Sequence, residues 1–154
     1  MKKVKKILVP TDFTVRSLDA VKEAIERSSE EQLDIVLGFG VKLSSSISDL
    51  LFLSKRRLID TLVSPEYKEM CRFIQSRYQS RIRTMYIDLL SSDQQSYINN
   101  YIEGHNIDEI FLPESLQLNM DKRKGFDLAA TLRKSIVRQE EQYTSEVSLI
   151  HALK

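Results

Sequence analysis

Long apolar runs are missing from this 154-residue chain. No stretch approaches the roughly 18 to 20 apolar residues of a membrane-crossing helix, so no membrane role is expected. A dominant charge is missing too. Lys and Arg number 23 against 22 Asp and Glu, a formal net charge of +1, which leaves no strong field to draw the chain to nucleic acid. The single cysteine, Cys71, excludes an intramolecular disulfide and fits a reducing compartment. Four glycines and three prolines are too few for a flexible linker or a low-complexity tail. The opening MKKVKKILVPTDF places basic residues before apolar ones, but the apolar run is too short for a signal peptide. These absences predict one cytoplasmic domain over residues 1–154 with a sizeable core.

What is present is an alternation of strand and helix patterns. Ile7-Leu8-Val9 is a short apolar run stopped by Pro10, which suits a strand buried on both faces. Leu18, Val21, Ala24 and Ile25 then recur at helical spacing, with Thr14 or Ser17 as the cap. Leu33 to Val41 reads as a second strand, interrupted by Gly38 and Gly40. Such glycines mark either a close backbone approach or a strand end beginning to turn. Between Leu43 and Ser64, a stripe of Ile47, Leu50, Leu51, Ser54, Leu58 and Leu62 predicts a helix that covers the sheet edge or meets a partner. Pro65 opens a further helix with Tyr67, Met70, Cys71, Ile74 and Tyr78 inward.

Arg81 to Leu90 reads as an edge strand, with Ile82, Thr84 and Tyr86 on one face and Met85 and Ile87 on the other. A helix from Ser91-Ser92-Asp93 carries Tyr97, Ile98, Tyr101 and Ile102, and Gly104 and Asn106 end it. Ile107 to Pro113 is a fourth strand, and Glu114 to Gly125 a long polar loop. Leu128, Ala129, Leu132, Ile136 and Val137 mark a last helix, and Glu146 to Leu153 a last strand. The order implies a parallel sheet with helices on both faces and right-handed crossovers. Ligands of such sheets collect at the carboxyl ends of the strands, where Asp12 sits.

Catalytic and metal constellations are absent. His105 lies at a helix end and His151 within a strand pattern, and neither has a second ligand at metal spacing. No Ser-His-Asp arrangement appears. Cys71 falls on a buried stripe, Tyr97 and Tyr101 read as core, and Glu140-Glu141 as a solvated helix end. A phosphorylation receiver needs clustered acids after the first strand, but Asp12 has no acidic neighbour and Asp88 lies inside its strand.

ILVPTDFT, followed by a helix opening Ser17-Leu18-x-Ala20, resembles the universal stress protein family, as does the layout of nearly the whole chain. The resemblance implies a Rossmann-like α/β fold: a five-stranded parallel sheet of order 3-2-1-4-5 with helices on both faces. It also implies a homodimer through the last strand, Val147 to Leu153. Many family members bind ATP through Gly, two residues, Gly, nine residues, Gly, then Ser or Thr. In such a loop, backbone N–H groups and a helix N-terminus meet the phosphates. Here the first glycine position is Pro113 and the second Leu116; only Gly125 remains, followed by Phe126 and Asp127. The adenosine half is better kept. The resemblance assigns adenine and ribose contacts to Pro10, Thr11, Asp12, Gly40, Val41 and Leu112. Asp12 either accepts from ribose hydroxyls or serves its own turn. Lys122, Arg123 and Lys124 either replace the lost glycines or form a solvated loop.

The resulting expectation is a regulatory or interaction module that is not an enzyme and has no cofactor. The rival is an adenine-nucleotide sensor using Asp12, Val41 and Lys122-Arg123-Lys124, with ATP held weakly.

Overall fold

The computed structural model describes residues 4–42 and 54–135. Strand β1, Val4–Pro10, forms as its apolar run requires: Ile7, Leu8 and Val9 are all fully buried, and Pro10 ends the strand. A 3-10 turn, Val15–Leu18, leads into α1, Asp19–Arg27, and the Thr14 side chain caps the turn by accepting from the Ser17 N–H. Strand β2 is Gln32–Val41. Helix α2, Lys55–Leu62, is followed by α3, Pro65–Arg77, which has Ser64 as its cap and proline at its first turn as expected. Strand β3 is Ile82–Leu90, α4 is Gln95–Gly104, and β4 is Glu109–Ile110. A two-residue strand β5, Gly125–Phe126, precedes α5, which is helical over 128–135.

The sheet runs β3-β2-β1-β4, all parallel. The first four strands thus follow the expected order. The predicted strand at Glu146–Leu153, and with it the proposed dimer surface Val147–Leu153, lies outside the described residues. So do Ile47, Leu50, Leu51, Ile136 and Val137. Strand β5 was not foreseen. It pairs antiparallel with the end of β2, Gly40 opposite Phe126 and Val41 opposite Gly125. Strand β1 stops at Pro10 opposite Gly38, and β5 takes the position beyond it.

Helices pack on both faces. Under α1 and α3 lie Ile7, Val9, Val21, Ile25, Ile35, Leu37, Tyr67 and Ile74. Under α4 and α5 lie Leu8, Val36, Leu90, Ile98, Tyr101, Leu128 and Leu132. Each such fully buried side chain contributes roughly 1.5 to 3 kcal/mol over exposure. Among the described residues no helix is long and apolar enough to cross a membrane.

Several details differ from the sequence reading. Ile82 packs with Met85 and Ile87, not opposite them, because the β2–β3 register shifts after Leu33–Ile82 and leaves Arg83 as an extra residue. Ser54 is the cap of α2 and not part of its stripe. The fourth strand shrinks to two residues, and α4 begins at Gln95, past the serine pair. The loop after β4 is not simply polar. Leu116 is 6% exposed, and Leu118 and Met120 pack against the core.

Candidate functional site

The turn after β1 is built on Thr11. Its hydroxyl lies 2.9 Å from both Ser17 Oγ and Tyr67 Oη, and it accepts the Phe13 N–H at 3.1 Å. Its own N–H continues the ladder onto Gly38 O at 2.9 Å. Thr11 is buried, and its hydroxyl is taken up by these neighbours. Phe13 holds a left-handed backbone, φ 64°, which costs roughly 1–2 kcal/mol for a residue with a Cβ. Its ring offsets this by stacking on Phe39, centroids 4.3 Å apart, and meeting Tyr67 edge-on at 5.4 Å. Burial pushes the Tyr67 phenol up, out of any physiological titration.

Asp12 serves two masters. Its Oδ1 accepts from Thr14 N–H at 2.9 Å and from the Thr14 hydroxyl at 2.5 Å, which closes the turn. Its Oδ2 accepts the Asn119 N–H at 2.8 Å, from the segment after β4. That segment is held elsewhere too. Arg133 Nη2 donates to the carbonyls of Pro113 and Leu116 at 3.2 and 2.8 Å, and Lys42 N–H donates to Lys124 O at 2.9 Å.

The glycines explain the closeness of β5. A Cβ on Gly40 would lie 2.7 Å from Phe126 O and 2.8 Å from its ring. A Cβ on Gly125 would run into Gly40 O and lie 2.6 Å from Met120 Cε. Of the two readings open for Gly40, the structure shows the close approach, and the chain's own backbone makes it. Asp127 caps α5, accepting the Ala130 N–H at 3.0 Å.

The predicted site residues are divided between separate cavities. Asp12 lines a cavity of about 410 Å³ with Arg16, Asp19, Glu23, Ser115, Gln117 and Asn119. Val41, Lys122 and Gly125 line another, of about 570 Å³, with Lys42, Ser91, Ser92 and Asp93. The two share no lining residue. Leu112 borders a third, beside Glu23 and Arg27. Pro10 and Gly40 are buried in the sheet. Arg123 folds back on Asp121, Nε to Oδ1 3.4 Å, and the Lys124 carbonyl accepts from Lys42 N–H just past β2.

No protein-family model matches the sequence, and no curated protein matches it closely enough to count as a relative. Among solved structures it is similar to the hypothetical protein MJ0577, at 17% identity and a TM-score of 0.48, over 86% of this chain and 88% of that one. It is also similar to the hypothetical protein PH0823, at 17% identity and a TM-score of 0.42, over 86% and 87% of the two chains.

A second polar cluster lies at the far edge. Asp88 is 6% exposed and accepts from Tyr101 Oη at 2.5 Å and from Leu89 N–H at 2.9 Å, and it pairs with Lys55. Burial pushes its carboxyl up, but Lys55 and Tyr101 outweigh that, leaving it below its ordinary value. The His105 ring stacks on Tyr101 with centroids 3.9 Å apart, its Nδ1 lies 3.0 Å from Tyr101 O, and Nε2 is 3.8 Å from Asp88. The cluster borders neither the cavity at Asp12 nor the one at Val41, and it ties α2 to α4 across β3. Cys71 is half-buried and burial pushes its thiol up to about 11, which fits an inert group. Among the described residues no cluster of three or more His, Cys, Asp or Glu could hold a metal ion.

Sequence reasoning missed Arg133, Asn119 and the Tyr67 hydroxyl. One signal was available: Leu116, Leu118 and Met120 alternate with Ser115, Gln117 and Asn119, the period of an extended segment with one face packed.

Proposed function

We propose that the chain is a universal stress protein-like regulatory or interaction module that does not hold ATP through a glycine loop. The observation that carries this is the bond from Asn119 N–H to Asp12 Oδ2 at 2.8 Å, made by a segment whose Leu116 is buried in the core. The chain itself supplies a donor to Asp12 at the end of β1, in the wall of a cavity of about 410 Å³. The lining there is also wrong for phosphate: Asp12, Asp19 and Glu23 stand against Arg16 alone. Two like charges at about 4 Å repel by roughly 1 to 4 kcal/mol between water and near-surface dielectric values. Losing two or three charge-assisted bonds to phosphate, each worth roughly 1.5 to 3 kcal/mol, weakens a micromolar site by at least about 3 kcal/mol, more than a hundredfold.

The test is calorimetry with ATP and magnesium on protein freed of bound ligand. No saturable binding is expected below about millimolar concentration. A dissociation constant in the low micromolar range overturns the reading.

One observation favours the nucleotide-sensor reading. Lys42 and Lys122 both border the cavity of about 570 Å³ beside Val41. A nucleotide held there would not touch Asp12. Native mass spectrometry of the purified protein decides between the two: bound adenine nucleotide selects the sensor.

A further inference from the structure

Helix α3 carries an exposed aromatic in the middle of a change of charge. Phe73 is 53% exposed, more than any other large apolar side chain among the described residues. The stripe that holds α3 on the sheet does not use it. Tyr67 and Ile74 are buried, and Met70, Cys71 and Tyr78 pack against the same core. One turn before Phe73 stands Glu69 and one turn after it Arg77, with Met70 and Ser76 at the i−3 and i+3 positions. Glu69, Ser76 and Arg77 are exposed, and Glu66 extends the acidic end. We propose that this face is a docking surface for a second copy of the chain, with α3 packed antiparallel on α3 about a two-fold axis at Phe73.

A two-fold contact uses one patch on both copies, so the patch must complement itself. Across an axis at Phe73, residues equally far on either side of it face one another. Phe73 meets its counterpart, Glu69 comes opposite Arg77 in both halves of the contact, and Met70 comes opposite Ser76. Parallel packing would instead set Glu69 against Glu69 and Arg77 against Arg77, so the charges select the antiparallel arrangement. A foreign helix would have to carry the same pattern, whereas a second copy carries it by construction.

The charges are free to engage. Among the described residues Arg77 meets no carboxylate, and its guanidinium lies over the Tyr78 ring, 5.6 Å from the centroid. Glu69 pairs within its own helix with Arg72 at 3.6 Å. Their side chains are 80% and 68% exposed, so that pair is weak and leaves the carboxylate open to a second cation. The 13 residues of α3 span about 20 Å. One helix face stands at the small end of interface sizes, so the contact is reversible, with a dissociation constant of roughly 100 μM. The surface is separate from Val147–Leu153, through which the resemblance implies a dimer, and it does not depend on the function proposed above.

Sedimentation equilibrium of the full chain, from about 10 μM to about 1 mM, tests the proposal. The wild type should self-associate. Phe73→Glu should weaken association by about tenfold or more, since two carboxylates then meet at the axis. Glu69→Arg and Arg77→Glu each set like charges opposite one another and should weaken it by about tenfold. Combining the two reverses both charges and should return association to within about threefold of the wild type. Charges that served only the dipole of α3 would give no such rescue, because the double variant has both ends of the helix reversed. All three positions are exposed, and thermal unfolding checks that each variant is folded. A wild type that stays monomeric up to about 1 mM overturns the proposal. So does association unchanged by Phe73→Glu, which another surface must then hold, and so does a double variant that associates no better than the single ones.

Discussion

Replacing Gly125 with alanine separates two explanations of why this position is glycine. If Gly125 is kept for phosphate approach, alanine leaves the ligand-free protein as stable as before. If it is kept for the pairing of β5 on β2, alanine destabilises the protein with no ligand present. The structure favours the second. The new Cβ would meet a backbone atom, Gly40 O, far inside van der Waals contact, with Met120 Cε at 2.6 Å and Phe39 Cζ at 3.0 Å. Met120 can swing away, but the carbonyl of a central strand cannot. Strand β5 must therefore lift off β2. Overpacking of this kind costs about 1 to 3 kcal/mol. The bond from Lys42 N–H to Lys124 O lies next to the clash, and losing it adds about 1 kcal/mol. The sum of about 2 to 4 kcal/mol lowers Tm by roughly 4 to 16 °C for a chain of this size. The assay is thermal unfolding followed by circular dichroism, without ligand. Gly104→Ala is the control. A Cβ there meets nothing within 4 Å, and no glycine in the structure has positive φ. It should stabilise by about 0.4 to 1 kcal/mol. A Gly125→Ala protein that melts with the wild type refutes the reasoning.

Two further outcomes follow from the buried polar groups. Asp34 is held below its ordinary carboxylate value, mainly by Arg83, and Asp88 is held there by Lys55 and Tyr101 against its burial. Folded-state values below the unfolded ones give stability that is present above the ordinary carboxylate range and lost as pH falls through the folded values. Urea unfolding should therefore show stability declining from about pH 5 downward, and Asp88→Asn should flatten part of that slope; an unchanged slope would exclude Asp88 as its source. Tyr67→Phe should cost about 0.5 to 1.5 kcal/mol in the same assay, because the Thr11 hydroxyl loses one of its two hydroxyl neighbours. A neutral effect would mean that Ser17 alone suffices.

The strand and helix pattern was legible where one face of an element is apolar. Ile7-Leu8-Val9, the α1 stripe and the cap at Thr14 follow from local spacing, and so does the left-handed Asn106, φ 54°, after α4. The face of Ile82 was not legible. A bulge of one residue reverses the parity of everything before it, and nothing in RIRTMYID marks which residue is extra. The site was less legible than the fold for a related reason. Pro10-Thr11-Asp12 could be recognised as a strand end, but the donor reaching Asp12 is a backbone N–H some hundred residues away, and any residue except proline carries one. Arg133 shows no more in the sequence than a cation on a helix. Its role exists only once α5 and the turn after β4 are folded side by side.

The extra residue in β3 has a consequence beyond the cavities. Strand β3 ends the sheet among the described residues, and its outer side offers unpaired backbone groups over nine positions. Such an edge invites a foreign strand to add itself. The bulge at Arg83 breaks the hydrogen-bonding rhythm near one end, so an incoming straight chain could match the edge on one side of Arg83 only. Gln75 reaches across and donates to Met85 O at 3.4 Å, which blocks one of the remaining acceptors. Arg83 lies beside this edge with its guanidinium forked onto Asp34 and half of its side chain in solvent. A hydrated charge there must be stripped of water before another sheet can stack. The irregularity that hid the facing of Ile82 from the sequence thus makes this border a poorer template for an added strand than a regular edge would be.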